Sequence, residues 1–408
     1  MKHFISAFLA VFCAVCIFLS CSDQRKNTPT DIKEITFKDP SKDYLLASNF
    51  KNIHMVQLEM KDECVISDVK RIIDTDGQLY VLTSDNEIFC FDRSTGKYLR
   101  KIGSTGEGPG EYVDITDMFY NEKEKRICVV DRVKNAIHAY TLGGEFVGSR
   151  AFDKNGDIAT ALIWSECAEY SPDGDVMIAL QITDGFPVSD YAYTVIRPNG
   201  TAIKLDAFAP LKIEGTSMAF AKRPMARCED GLRFFKYVND TIFTLSDGEA
   251  VPYCKVDLGR KMPSREMLAK MGGDLYLNID KVFQSGYAMP LEEIYECKNL
   301  IALIPQYYEM AGGYYWIDKE KQEGIHIIAT NNFDDECFRF LQGRSIISLK
   351  GSNEKELISS FNGATVIKAV QKQLREKKDL NVYKKEMRTF FEKADPDGNP
   401  CLVFYGFP

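Results

Sequence analysis

Residues 69–103 read VKRIIDTDGQLYVLTSDNEIFCFDRSTGKYLRKIG, and their reading decides the fold. Four short apolar runs alternate with Asp-Gly, Asp-Asn and Ser-Thr-Gly turns, which predicts four antiparallel strands joined by tight hairpins. The pattern returns in 115–152, ITDMFYNEKEKRICVVDRVKNAIHAYTLGGEFVGSRAF. It returns again over 167–208 with a longer central loop, and once more over 225–259. A unit of four short strands repeating every ~35–45 residues is the signature of a propeller blade.

Two further copies are less regular. Residues 300–335 carry a Gly-Gly turn and a two-strand core, and 337–351, CFRFLQGRSIISLKG, open a last copy. Residues of about 353–394 then interrupt it, with Val366, Ile367, Val370 and Leu374 at helical spacing among many Lys and Glu. The expectation is an all-β, six-bladed β-propeller of four-stranded antiparallel blades with a helical insertion in the last blade. Residues 52–60, NIHMVQLEM, have no blade of their own, whereas 399–407, NPCLVFYGF, close the chain. Pairing the N- and C-terminal strands would close the ring and remove an open sheet edge.

The link between the first two copies, 100–115, is rich in glycine but lacks the Lys-Ser/Thr of a phosphate loop, and Glu107 and Glu111 would repel an anion. It is read as a turn from rim to hub.

The first 21 residues, MKHFISAFLAVFCAVCIFLSC, run from Lys2 through an apolar stretch to Ser20 and Cys21. That is the layout of a secretory signal. The end of the stretch resembles a bacterial lipobox, which implies that Cys21 is acylated and tethers the protein to a membrane. The expected organisation is a signal over 1–20, a polar tether over 21–35 and the propeller over 36–408. The formal charge of -8 lacks the basic excess that nucleic-acid phosphates require, so no nucleic-acid partner is expected. Of twelve cysteines, Cys13, Cys16 and Cys21 fall in the leader region, and the nine others are scattered singly, as buried free thiols would be.

The stretches VQLE at 56–59, IFCFD at 88–92, GEGPGEY at 106–112, KYVNDTIFTL at 236–245 and DGNPCLVFYGF at 397–407 resemble the lipid-anchored six-bladed β-propeller proteins of Gram-negative anaerobes. That family is similar to NHL and TolB-type propellers. The resemblance implies a cell-envelope lipoprotein at the outer membrane and leaves the biochemical role open.

Enzyme chemistry has few footholds. His3, His54, His138 and His326 belong to no zinc or catalytic motif, and His138 is read as a satisfied strand residue. Under a lactonase-like alternative, a metal-assisted hydrolase or lyase, Asp74, Asp131, Asn135, Asn239 and Asp240 are candidate ligands for Ca²⁺ in the central channel. They sit at turns, where Asp and Asn cap backbone donors. Otherwise no cofactor is expected. Trp164, Tyr170, Tyr191, Tyr193, Tyr314, Tyr315 and Trp316 are candidates for stacking on a ligand, and as strand residues equally suited to packing between blades. The leading expectation is a binding or scaffold module for a protein, peptide or glycan partner.

Overall fold

The computed structural model describes residues 32–39, 46–180, 192–205, 221–264, 279–306, 313–329, 332–342, 348–376 and 384–407, with single positions 267, 270, 344 and 346. Its compact unit is Glu34–Pro408. Strands β1 (Glu34–Lys38) and β2 (Asn52–Gln57) come first. The first hairpin repeat forms β3 (Val69–Thr75), β4 (Gln78–Thr83), β5 (Ile88–Asp92) and β6 (Tyr98–Lys101), one four-stranded sheet in chain order. Asp76 and Gly77 both take positive φ, 49° and 74°, which the two-residue turn of a right-twisted hairpin requires.

The second sheet is β7 (Ile115–Asn121), β8 (Arg126–Asp131), β9 (Ala136–Thr141) and β10 (Phe146–Ala151). The third is β11 (Ser165–Tyr170), β12 (Val176–Leu180), β13 (Tyr193–Ile196) and β14 (Ala202–Lys204). Both faces of a blade are covered. Leu79, Val81, Phe89 and Phe91 on one face of the first blade pack with Val56, Ile358, Leu402 and Phe404. Tyr80, Leu82, Ile88 and Cys90 on the other pack with Ile115, Met118, Ile127 and Val129. Burial on both sides is why these strands read as nearly unbroken apolar runs.

The expectation of six separate four-stranded blades requires correction. Strands β15 (Met225–Cys228), β16 (Gly231–Phe235), β17 (Thr241–Ser246) and β18 (Glu249–Asp257) share one sheet with β19 (Leu291–Cys297), β20 (Leu300–Pro305), β21 (Gly313–Asp318) and β22 (Glu323–Ile328). The ninth member is β1, inserted parallel between β18 and β22. Glu34, Ile35 and Thr36 pair with Lys255, Val256 and Asp257, and Phe37 and Lys38 with Gly324 and Ile325. At Gly324 a Cβ would stand 2.8 Å from the Thr36 carbonyl oxygen, so the seam demands glycine there. The free ends of this nine-stranded sheet approach each other, since Arg223, just ahead of β15, forms a parallel bridge to Glu293 of β19. The molecule is thus a four-bladed propeller array plus one nearly closed nine-stranded sheet.

The fourth four-stranded blade is β23 (Leu349–Ser352), β24 (Glu356–Phe361), β25 (Cys401–Gly406) and β2 on its outside. Strand β2 runs antiparallel to β25 from Asn52 opposite Gly406 to Gln57 opposite Cys401. The helical stretch expected from 353 begins instead with β24. A π-helical turn (Gly363–Ile367), α4 (Lys368–Glu376) and α5 (Lys385–Phe391) follow it, after the earlier helices α1 (Asp157–Ile163), α2 (Ile279–Gln284) and α3 (Phe333–Leu341). Residues 337–341, expected as strand, lie in α3, whose Asn332 cap accepts the Asp334 N–H at 3.0 Å. Among the described residues no helix is long and apolar enough to cross a membrane.

Candidate functional site

The innermost strands touch one another in cyclic order, β3 to β7, β11, β15, β19, β23 and back to β3. They line a common hub. Five of them shift register at the same place: between Val69 and Arg71, Ile115 and Asp117, Ser165 and Cys167, Leu291 and Glu293, and Leu349 and Gly351. A bulge re-aims the side chain it displaces, here Lys70, Thr116, Glu166, Glu292 and Lys350. The sixth position is held by Lys222, whose neighbour Arg223 donates its N–H to Glu292 O at 3.0 Å and accepts from Ile294 N–H at 2.9 Å. Around the hub the order is therefore Lys70, Thr116, Glu166, Lys222, Glu292, Lys350, a polar collar on otherwise apolar strands.

Beneath the collar lies a buried charge cluster. Arg71 Nη1 donates to Asp117 Oδ2 at 2.6 Å and to the Ala168 carbonyl at 2.8 Å, and Nη2 donates to Glu169 Oε2 at 2.5 Å. Arg223 Nη2 reaches the same Glu169 oxygen at 3.1 Å. Burial pushes the Asp117 carboxyl up, but the charges of Arg71 and Arg223 outweigh it and hold the group below its usual range. The same carboxylates raise Arg71 despite its burial. Both guanidiniums lie between Asp117 and Glu169.

Glu166 behaves oppositely. Half-buried in the collar, it is pushed up to about 7 by desolvation, against the pull of Lys70 and Lys222 and with the help of Asp117 and Glu292. Lys70 is an exposed residue whose Nζ donates to Thr116 O at 2.6 Å, while Lys222 Nζ pairs with Glu292 at 3.2 Å. Thr116 Oγ1 and Ser165 Oγ are hydrogen-bonded at 2.6 Å. The collar thus offers ammonium donors around a carboxyl whose burial pushes it up to about 7, an arrangement suited to binding polar or charged ligands.

The residues singled out from sequence lie elsewhere. Asp74 accepts from Arg93 Nε at 2.9 Å and Asn353 Nδ2 at 2.7 Å. Asn239 accepts from Thr241 N–H at 2.7 Å, and Asp240 pairs with Lys255 Nζ at 3.2 Å. Asn135 donates to Phe152 O at 3.0 Å. Asp131 accepts the N–H groups of Val113, Val133 and Lys134, and His138 Nε2 lies 3.3 Å from it. Asn135, Asn239 and Asp240 bond close to their own turns, Asp131 caps its turn and meets His138, and Asp74 bridges to Arg93 and to Asn353 of the last blade. Tyr170 is buried and stacks on Phe119 at 6.2 Å, while Tyr193 donates to the Phe235 carbonyl. Tyr314 donates to Ile346 O at 3.1 Å, Tyr315 stacks on His326 at 4.9 Å, and Trp316 packs edge-on against Phe50 at 5.4 Å. Trp164 is half-buried at the end of α1. Tyr191 and Cys21 lie outside the described residues. The nine cysteines from Cys64 to Cys401 are free, and all but the half-buried Cys228 are buried. Cys228, Asp230 and Glu296 come within 4.8 Å of one another, yet Arg233 pairs with Asp230 at 2.8 Å and Lys319 with Glu296 at 2.5 Å.

Sequence reasoning missed the collar and the cluster beneath it. A signal was present: in some of these strands a polar or charged pair, such as Lys70 and Arg71, Thr116 and Asp117 or Glu292 and Glu293, interrupts the apolar run.

Blades packed face to face around a polar hub place the protein among the propeller-like folds. The chain belongs to the family described as Domain of unknown function (DUF4934), which matches residues 31–406. No curated protein matches it. Among solved structures, a Bacteroides fragilis protein described as exported is 16% identical with a TM-score of 0.67, covering 92% of this chain and 100% of its own. A DUF4221 member from Bacteroides vulgatus is 11% identical at a TM-score of 0.49, covering 88% and 98%. Virginiamycin B lyase from Staphylococcus aureus is 12% identical at 0.39, covering 69% and 76%. At 16% identity the likeness to the exported protein shows the fold alone.

Proposed function

We propose that the protein is an exported envelope lipoprotein, tethered through Cys21, whose hub collar binds a protein, peptide or glycan partner. The leader, the lipobox-like Ser20-Cys21 boundary and a structural likeness to a protein described as exported support the address, with the outer membrane as the membrane in question. The observation that carries the binding reading is Glu166. A half-buried carboxyl flanked by Lys70 and Lys222 but hydrogen-bonded to neither is costly for folding alone and useful for a ligand.

Purified protein lacking the leader, applied to peptide and glycan arrays, tests this. Selective binding that disappears in a Lys70→Glu, Lys222→Glu double variant of unchanged melting is expected. Binding unaltered by that variant, or none to either array, would overturn the collar as the site. Incorporation of labelled palmitate, abolished by Cys21→Ala, checks the tether separately.

A further inference from the structure

A second polar constellation lies at the rim of the β7–β10 blade, on three consecutive segments. Asp131 ends β8, His138 is buried in β9, and Ser149 is exposed on β10. Ser149 and His138 are directly opposed in register. The N–H of Phe152 bonds to the Asn135 carbonyl, so by alternation Ser149 and His138 form a non-hydrogen-bonded pair, the closer kind. Ser149 Oγ stands 2.5 Å from His138 Nδ1, and His138 Nε2 stands 3.3 Å from Asp131 Oδ2.

The protons in this chain are assigned by chemistry. Burial pushes the Asp131 carboxyl up, but the His138 contact and the backbone N–H groups of Lys134 and Val113 outweigh it and hold the group at about 2. An ionised carboxylate only accepts, so His138 Nε2 must carry the ring proton. That leaves Nδ1 bare, and Ser149 O–H donates to it. A serine hydroxyl on a histidine that is itself fixed by a carboxylate is the arrangement that activates serine as a nucleophile.

The surroundings fit an acyl donor. Strand β10 is the outermost of its sheet, and among the described residues no strand pairs with its far side. The N–H groups of Ser149 and Ala151 point to that open edge, where an oxyanion would accept from them. Phe146 and Val147, 40% and 42% exposed on the same strand, offer apolar surface beside it.

We propose that Ser149 is an acyl-accepting nucleophile, with His138 as its general base and Asp131 as the positioning residue, acting on small carboxylic esters along the open edge of β10. Ser149 Oγ bonds to the acyl carbon as its proton passes to His138 Nδ1. The ester C–O bond then breaks, and the alcohol leaves with the proton returned from Nδ1. Water, deprotonated by the same nitrogen, attacks the acyl-serine, releasing the carboxylic acid and restoring the Ser149 hydroxyl. This activity is independent of the hub collar.

The test treats the folded wild-type protein with a fluorophosphonate probe and maps adducts by peptide mass spectrometry. Selective labelling of Ser149 over the exposed Ser94, which has a carboxylate neighbour but no histidine, is expected. Ser149→Ala removes the adduct without changing melting, and His138→Gln slows labelling roughly 100-fold or more. Nitrogen-15 NMR of the labelled histidines should show His138 as the Nε2–H tautomer, with the Nδ1–H form gaining population in Asp131→Asn. An unlabelled Ser149, labelling no faster than at Ser94, labelling undiminished in a folded His138→Gln protein, or an Nδ1–H tautomer in the wild type would each overturn the proposal.

Discussion

Arg71 holds two carboxylates that are nearly as inaccessible as itself. Removing one partner of a buried charge group leaves the others uncompensated, whereas replacing the whole group by apolar residues can be neutral. Arg71→Ala should therefore destabilise the protein by roughly 3–5 kcal/mol in urea unfolding. The fourfold change Arg71→Met, Asp117→Leu, Glu169→Leu, Arg223→Met, which removes the whole group, should recover most of that loss. If the fourfold variant is no better than Arg71→Ala, the cluster holds the strands in register rather than merely balancing charge. Glu166 makes a pH prediction of the opposite kind from a paired acid. Its carboxyl is raised from 4.5 to about 7 on folding, so between those values the native state holds a proton that the unfolded chain has released. Stability from this group is complete below the lower value and is lost as pH rises through the upper. Glu166→Gln should flatten that slope and, at pH 8, exceed the wild type by on the order of 1 kcal/mol, a figure kept small because the group is only half-buried. Melting curves collected from pH 4.5 to 8 decide it, and parallel curves would mark Glu166 as an ordinary surface acid. Neither residue was legible as a site from sequence. A lone charge in an apolar strand looks the same whether it snorkels to water or meets its partners 46 and 98 residues away.

Hairpins were legible because their cause is local. Asp76 and Gly77 specify a turn by backbone preference alone, and two apolar runs of matched length complete the reading. Strand β1 was not, because its partners are more than 200 residues distant, the pairing is parallel, and no turn announces it. Helix α3 was misread as strand, although the spacing of Cys337, Phe340 and Leu341, all fully buried, and the Asn332 cap favour helix. The β1 seam makes its own prediction. Gly324→Val would drive a side chain into Thr36 and Phe37, and should cost about 1–3 kcal/mol by overpacking. Faster amide hydrogen exchange over Glu34–Lys38, with blade β7–β10 unchanged, would locate the damage at the seam. Equal protection in both proteins would mean that β1 contributes little to the sheet.

At the scale of the molecule, β2 covers β25, a strand buried along its whole length. Deleting residues 31–60 removes β2 together with β1, and leaves one edge of the last blade and the seam of the nine-stranded sheet unpaired. Calorimetry should show the melting point falling by roughly 10 °C or more, with light scattering rising on heating. A truncated protein that melts as the full chain does would show closure to be dispensable. The repeat count was where the sequence reading failed at this scale: turn spacing reveals how many hairpins exist, but only long-range pairing decides which of them merge into one sheet.

The insertion of β1 between β18 and β22 also gives the molecule a mechanical weak point. Were the chain tethered through Cys21 as proposed, tension ahead of Glu34 would be carried first by that five-residue strand. Its detachment would free residues 34–39 and lengthen the leash by about 20 Å. A sudden tug on such a tether would then be absorbed as reach, with hub and collar still intact at the far end.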